Sequence, residues 1–322
     1  MAARNGHAGV VNLLSLKTNV TARQLNRSLF LAAAEGHESV VHTLLGHHGV
    51  DVNCRYGEGL TPLWIAAANG HEGVVRTLAM VHGTDLNHGN ILDITPLTKA
   101  VWNGHEEVVK TLIKIPGVDI NSQETNGLTP LWIAASMNRR SIVCTLLSQQ
   151  CIDINLPDRQ GRTALWIAAS KGYEDVVRTL ASHRDVDLNY HNKSVVTSLA
   201  IAAENGHEDI VSFLARTPGV DLNCATPLVK ALENGNSGVA KLLLSYAKDL
   251  SDGFLDLRAM FGETIKAENR PIIESFLGSA QFVSMLSDAD WTWASRKAII
   301  YGHDEIAELL LKSGRKPVSE GI

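Results

Sequence analysis

A seven-residue phrase that returns at a fixed interval governs what this chain can become. Thr61-Pro62-Leu63-Trp64-Ile65-Ala66-Ala67 comes back as Thr95-Pro96-Leu97, as Thr129-Pro130-Leu131-Trp132-Ile133-Ala134-Ala135, as Thr163-Ala164-Leu165-Trp166-Ile167-Ala168-Ala169 and as Thr197-Ser198-Leu199-Ala200-Ile201-Ala202-Ala203, each step being 34 residues. Ser28-Leu29-Phe30-Leu31-Ala32-Ala33 holds the same register one copy earlier. Thr226-Pro227-Leu228 arrives after only 29 residues, the shortfall falling in the connecting loop. A period of this length marks a supersecondary unit that cannot bury its apolar face alone, so neighbouring copies must stack.

Each copy spells out its own local structure. Thr61 is suited to cap a helix through its hydroxyl, and Pro62 falls at the first helical position, where its missing N–H costs nothing. Leu63, Ala66 and Ala67 then share one face by i, i+3, i+4 spacing, the alanines admitting a close neighbour. Gly70 supplies a left-handed stop. His71 and Glu72 open a second helix, whose acid suits the N-terminal dipole and whose Val74, Val75 and Leu78 form another apolar stripe. The two helices are predicted to form an antiparallel hairpin. Gly83-Thr84-Asp85-Leu86-Asn87 follows and is echoed by Gly117 to Asn121 and Gly219 to Asn223, with Asp and Asn suited to side-chain-to-backbone turns. A protruding loop or β-hairpin then leads to the next Thr-Pro.

Written in full, TPLWIAAANGHEGVV resembles the ankyrin repeat, with its TPLHxAAxxGH core. The resemblance covers residues 28–249 as six to seven repeats. It implies an all-α solenoid of about eight units with degenerate ends, each a helix-turn-helix followed by a β-hairpin or loop. Trp64, Trp132 and Trp166 stand where the family has His, so a side-chain hydrogen bond usual in the family must be absent or replaced there, with aromatic packing as the expected substitute. Phrases of the TPLWIAA type look like those of large fungal ankyrin proteins. Residues 1–27 read as a truncated first repeat and loop, entered near the end of its first helix at Met1 to His7, which leaves open that the chain is a piece of something longer. Residues 250–322 read as degenerate repeats and a tail. There Gly278 to Trp293 is the least repeat-like stretch, and Trp291 and Trp293 either close the core or form a local binding feature.

Composition narrows the function classes. Lys and Arg total 29 against 34 Asp and Glu, a net charge of −5 without the basic surplus that phosphate contacts require, so no nucleic-acid partner is expected. No apolar run is long enough to span a membrane and no leader pattern opens the chain, so no membrane partner is expected either. Cys54, Cys144, Cys151 and Cys224 form no CxxC pair, which suits a reducing, intracellular and cytoplasmic setting. Of thirteen histidines, six (His7, His37, His71, His105, His207, His303) occupy one repeat position beside Gly. Helices pack about 8–10 Å apart, too far for equivalent residues to share a zinc whose His ligands lie about 2 Å away. No metal, cofactor or catalytic motif is expected, since HExxH, GxSxG and a P-loop are all missing.

The informative positions are those where the copies disagree, because stacking constrains packing positions and leaves exposed ones free. At the C-terminal end of helix one, the column Ala34, Ala68, Trp102, Ser136, Ser170, Glu204, Glu233 stands beside Glu35, Asn69, Asn103, Met137, Lys171, Asn205, Asn234. In ankyrin proteins this edge lines the concave groove beside the hairpin tips. The reading that follows is a non-catalytic, scaffold-like protein-recognition module. It binds a partner protein through Trp102 and Met137, with Lys171 nearby and hairpin residues Tyr56, Ile91 and Arg159 at the flanks. The alternative is a small-molecule binder or enzyme with a pocket near the irregular repeats, within residues 200–300. It would use Glu204, Glu233 and Lys230, with Lys99 in the same column as Lys230, or the Trp291/Trp293 pair.

Overall fold

The computed structural model describes residues 1–15, 20–222, 225–247, 262, 264–266, 270–277 and 287–313. Their fold class is the all-α repeat solenoid, arranged as two compact units: Met1–Ile167 with Ser182–Val186, and Ala168–Ala181 with Asp187–Ile322.

In the first unit α1 (Ala8–Ser15) precedes four helix pairs. These are α2 (Ala22–Glu35) with α3 (Glu38–Leu45), α4 (Pro62–Ala68) with α5 (Glu72–Ala79), α6 (Pro96–Asn103) with α7 (Glu106–Leu112), and α8 (Pro130–Ser136) with α9 (Arg140–Leu147). The first helices pack in succession, α2 on α4, α4 on α6 and α6 on α8, while α3, α5, α7 and α9 form a parallel row. Helix α10 (Ala164–Lys171) carries the chain onward. The second unit contains α11 (Glu174–Ala181), α12 (Ser198–Glu204) with α13 (Glu208–Arg216), α14 (Ala225–Glu233) with α15 (Ser237–Ala247), α16 (Arg270–Leu277), and α17 (Asp288–Ile300) with α18 (Asp304–Ser313).

The repeated threonine does what its position suggests. Thr61 Oγ1 accepts the Trp64 N–H at 3.1 Å, and Thr95, Thr129, Thr163 and Thr197 cap in the same way. Gly70 turns the chain with φ of 80°. Leu63, Ala66, Ala67, Val74, Val75 and Leu78 are buried, so the core consists of small and aliphatic side chains layered between successive helix pairs. The loops between repeats hold one another mainly by backbone and asparagine bonds; among the described residues their β pairing amounts to isolated bridges such as Tyr56 with Leu60 and His191 with Thr197. At the 29-residue step the helix starts at Ala225, so Thr226 lies inside α14 instead of ahead of it. Cys224, the segment around Gly253 and residues 314–322 lie outside the described residues, as does most of Gly278 to Trp293.

Candidate functional site

The turn between the two helices of each repeat is built against the previous repeat. Asn69 and Asn103 donate through Nδ2 to the Ala34 and Ala68 carbonyls at 2.8 and 2.6 Å. The next histidine reaches the same oxygens: His71 Nε2 lies 2.9 Å from Ala34 O and His105 Nε2 2.9 Å from Ala68 O. In the second unit Asn205 and His207 address Ser170 O alike. These ring nitrogens are therefore structural. Close approach also explains the glycine, because a Cβ on Gly70 would come within 2.6 Å of His105 Nδ1.

The repeat that begins at Thr129 departs from this at every turn position. Met137, Asn138, Arg139 and Arg140 stand where its predecessor has Asn103, Gly104, His105 and Glu106. Asn138 takes φ of 56° in place of glycine. Arg139 keeps the inter-repeat bond, its Nη2 donating to Trp102 O at 3.1 Å, but its Nε is buried with no partner. The guanidinium lies so close beneath Gly104 that a Cβ there would overlap Nη1. Met137 has no amide to reach back with and is 40% exposed, and Trp102 is 39% exposed. Trp102 and Met137 are the positions the repeat columns single out, and Arg139 and Arg140 depart from the same columns two and three positions further along.

The flanking loop residues differ in role. Ile91 is 68% exposed while its N–H donates to Glu58 O, and Arg159 is exposed with its N–H on Asn126 O, so successive loop tips are tied by their backbones and project side chains outward. Tyr56 is less available, since its ring lies 4.8 Å from that of Phe30. Lys171 is exposed at the end of α10 and belongs to the second compact unit.

In that second unit Lys230 Nζ lies 3.6 Å from Glu204 Oε2 and 3.5 Å from Glu233 Oε2, with all three side chains partly in water. Lys99, in the same column, instead places its ammonium 5.8 Å from the Trp64 ring centre. Trp291 is buried within α17, and Trp293 is packed against Gly262, where an added Cβ would meet the ring at 2.8 Å. Both indoles thus contribute packing at that end. Among the described residues no group of three His, Cys, Asp or Glu side chains is placed to hold a metal ion, and no helix is long and apolar enough to cross a membrane.

A family model described as ankyrin repeats matches residues 1–90, 29–124, 97–192 and 183–253. The chain belongs to the ankyrin-repeat family. Among solved structures it is similar to the ankyrin repeat domain of Bcl-3, described as a unique member of the IkappaB protein family, with 24% identity and a TM-score of 0.61 over 67% of this chain and 97% of that one. That likeness is one of fold. No curated protein matches the sequence.

Against the ankyrin pattern, the tryptophans replace the usual histidine bond as well as adding packing. Trp64 Nε1 donates to Ile94 O at 2.7 Å and Trp132 Nε1 to Arg162 O at 3.0 Å, each reaching the loop that leads into the next ankyrin repeat. Arg162 is sandwiched between Trp132 and Trp166, its guanidinium carbon 5.5 and 5.8 Å from the two rings, and is held by buried Asp158. This brace stiffens the base of the loop that presents Arg159.

Proposed function

We propose that this ankyrin-repeat chain recognises a protein segment along the first-helix ends and loop tips of its first compact unit, centred on Trp102 and Met137. The observation that carries the reading is the exposure of two large apolar side chains where the other repeats of that unit place Ala, Ser, Glu or Asn. Trp is the side chain most often found to dominate an interface once it is desolvated, and a neighbouring Met adapts to irregular partner surfaces. Ile91 and Arg159, on loops braced by their neighbours, extend the surface to either side. Trp102→Ala is expected to weaken binding of an isolated partner by about 2 kcal/mol, roughly thirtyfold, with an unchanged melting temperature. Unfolding of that repeat, or unchanged affinity, rejects the reading.

A second reading, a small-molecule site around Lys230, draws support from the pairing of that lysine with Glu204 and Glu233. Its weakness is physical: chemistry at a lysine or carboxylate gains from exclusion of water, and these groups are partly solvated. Glu204→Gln leaving partner binding intact while abolishing a metabolite-induced rise in melting temperature favours this reading over the first.

A further inference from the structure

We infer that Arg23 and Arg27 of α2, together with the Tyr56 hydroxyl, form a site for one phosphate monoester group carried on a segment of a partner protein. The site belongs to the first repeat and its loop, well before Trp102 in the chain, and goes beyond the recognition surface proposed above.

Helix α2 is charged against its own stability. Helices α5, α7 and α11 each pair an acid with a base four residues on: Glu72 with Arg76, Glu106 with Lys110 and Glu174 with Arg178. In α2 both residues at that spacing are arginine, a like-charged pair, and Arg23 also stands in the first turn, at the positive end of the helix dipole. Both side chains are exposed, and among the described residues neither forms an ion pair or a hydrogen bond.

Arg23, Arg27 and Phe30 follow one another along one face of the helix, at i, i+4 and i+7. The Tyr56 ring packs on Phe30 with centroids 4.8 Å apart. Burial pushes the Tyr56 hydroxyl up from its ordinary value and the Cys54 thiol adds to this, while the charges of Arg27 and Arg23 oppose it. Both guanidinium groups thus act on a hydroxyl that keeps its proton at neutral pH and can donate it.

Two unpaired cations held together at a cost to their own helix are the mark of functional demand. A phosphate monoester suits the set best, offering three acceptor oxygens and close to two charges where a carboxylate offers two oxygens and one. An acidic run or a polynucleotide brings further charges along its length, and these meet Asp51 and Glu58, which precede and follow Tyr56 in the loop. One localised dianion avoids that repulsion. Neither carboxylate occupies the arginines: no ion pair joins them among the described residues, and Asp51 Oδ1 accepts the Asn53 N–H at 2.9 Å. On this exposed face a free phosphate competes with water, whereas a protein segment adds contact with the half-buried Phe30 and Tyr56 rings.

The experiment measures the whole chain by fluorescence anisotropy against a labelled degenerate heptapeptide pool with a central phosphothreonine, and against the same pool with threonine. Phosphorylation should tighten binding by about tenfold or more, and added salt should weaken it. R23Q/R27Q should abolish the difference between the two pools. Y56F keeps the ring on Phe30 but loses the donor, and should cost about threefold or more. K114Q, which removes an exposed charge elsewhere in the same compact unit, should change nothing. The melting temperature of R23Q/R27Q should equal or exceed that of the parent, because a like-charged pair is relieved.

Equal affinity for the two pools overturns the inference. So does an equal loss in K114Q and R23Q/R27Q, which marks diffuse attraction, or a marked drop in the melting temperature of R23Q/R27Q, which makes the arginines structural. Inorganic phosphate or free phosphothreonine binding as tightly as the peptide pool assigns the patch to small phosphate compounds and overturns the protein source. A single-stranded DNA oligonucleotide or an Asp/Glu-rich peptide binding as tightly overturns the phosphate monoester. Trp102→Ala tests the recognition surface separately, so either reading can fail while the other stands.

Discussion

Gly70 shows how one residue ties two repeats together. Its φ of 80° is costly for any side chain, and its missing Cβ leaves room for the His105 ring of the following repeat. Gly70→Ala is therefore expected to destabilise by about 1–2 kcal/mol through the backbone and by about 1 kcal/mol more through displacement of His105 from the Ala68 carbonyl. Urea unfolding gives the total, and amide exchange locates the second part in the repeat that contains His105. Cys54 is a second residue-scale case. Burial, aided by the Asp51 carboxylate, pushes its thiol up to about 12, so at pH 8 roughly one molecule in ten thousand carries the thiolate. Exposed Cys144 and Cys151 are expected to react with a thiol reagent well before Cys54 when followed by peptide mapping; equal rates would show that the Cys54 region opens freely.

Between helix pairs, asparagine acts as a rung. Asn87 donates through Nδ2 to Gly117 O at 2.7 Å and accepts the Asp119 N–H at 2.8 Å, joining one loop to the next; Asn53 and Asn121 do the same in the first compact unit, as does Asn189 in the second. The recurrence of this residue after each second helix follows from the register of stacking: two backbone groups face it at a constant spacing. Asn87→Ala leaves both without their partner at a solvated edge, and a loss of about 1 kcal/mol is expected, against less than half of that for Asn87→Asp if its oxygen keeps the Asp119 bond. Chemical denaturation of the two variants separates the acceptor role from the donor role.

Across the whole chain stability should be uneven. Helix α1 packs on α3 but exposes Val10 and Leu14, whereas their counterparts in α5, Val74 and Leu78, are buried and α4 packs on that helix. Amides of α1 are expected to exchange through local opening long before those of α4 to α7, whose apolar faces are covered on both sides. Uniform protection through the first compact unit would contradict this.

The sequence alone determined the repeat, the helix starts at Thr61, Thr95, Thr129, Thr163 and Thr197, and the outward placing of Trp102 and Met137, but not the start of α14 or of α17. Those features follow from contacts within four residues, such as Thr61 with Trp64, or from comparison of equivalent positions. Only the tertiary structure decided where the longer side chains go. Lys99 and Lys230 hold the same column, yet one ammonium lies over Trp64 and the other between Glu204 and Glu233. Trp64 and Trp132 find carbonyls in the following loop, and Arg139 passes close to Gly104 to reach the Trp102 carbonyl. Each of these partners lies 26 or more residues away, apart from Glu233, and is set by the offset and rotation of one repeat on the next. A 34-residue period announces that such stacking occurs, while the partner a flexible side chain meets depends on the few ångströms by which neighbouring repeats are displaced.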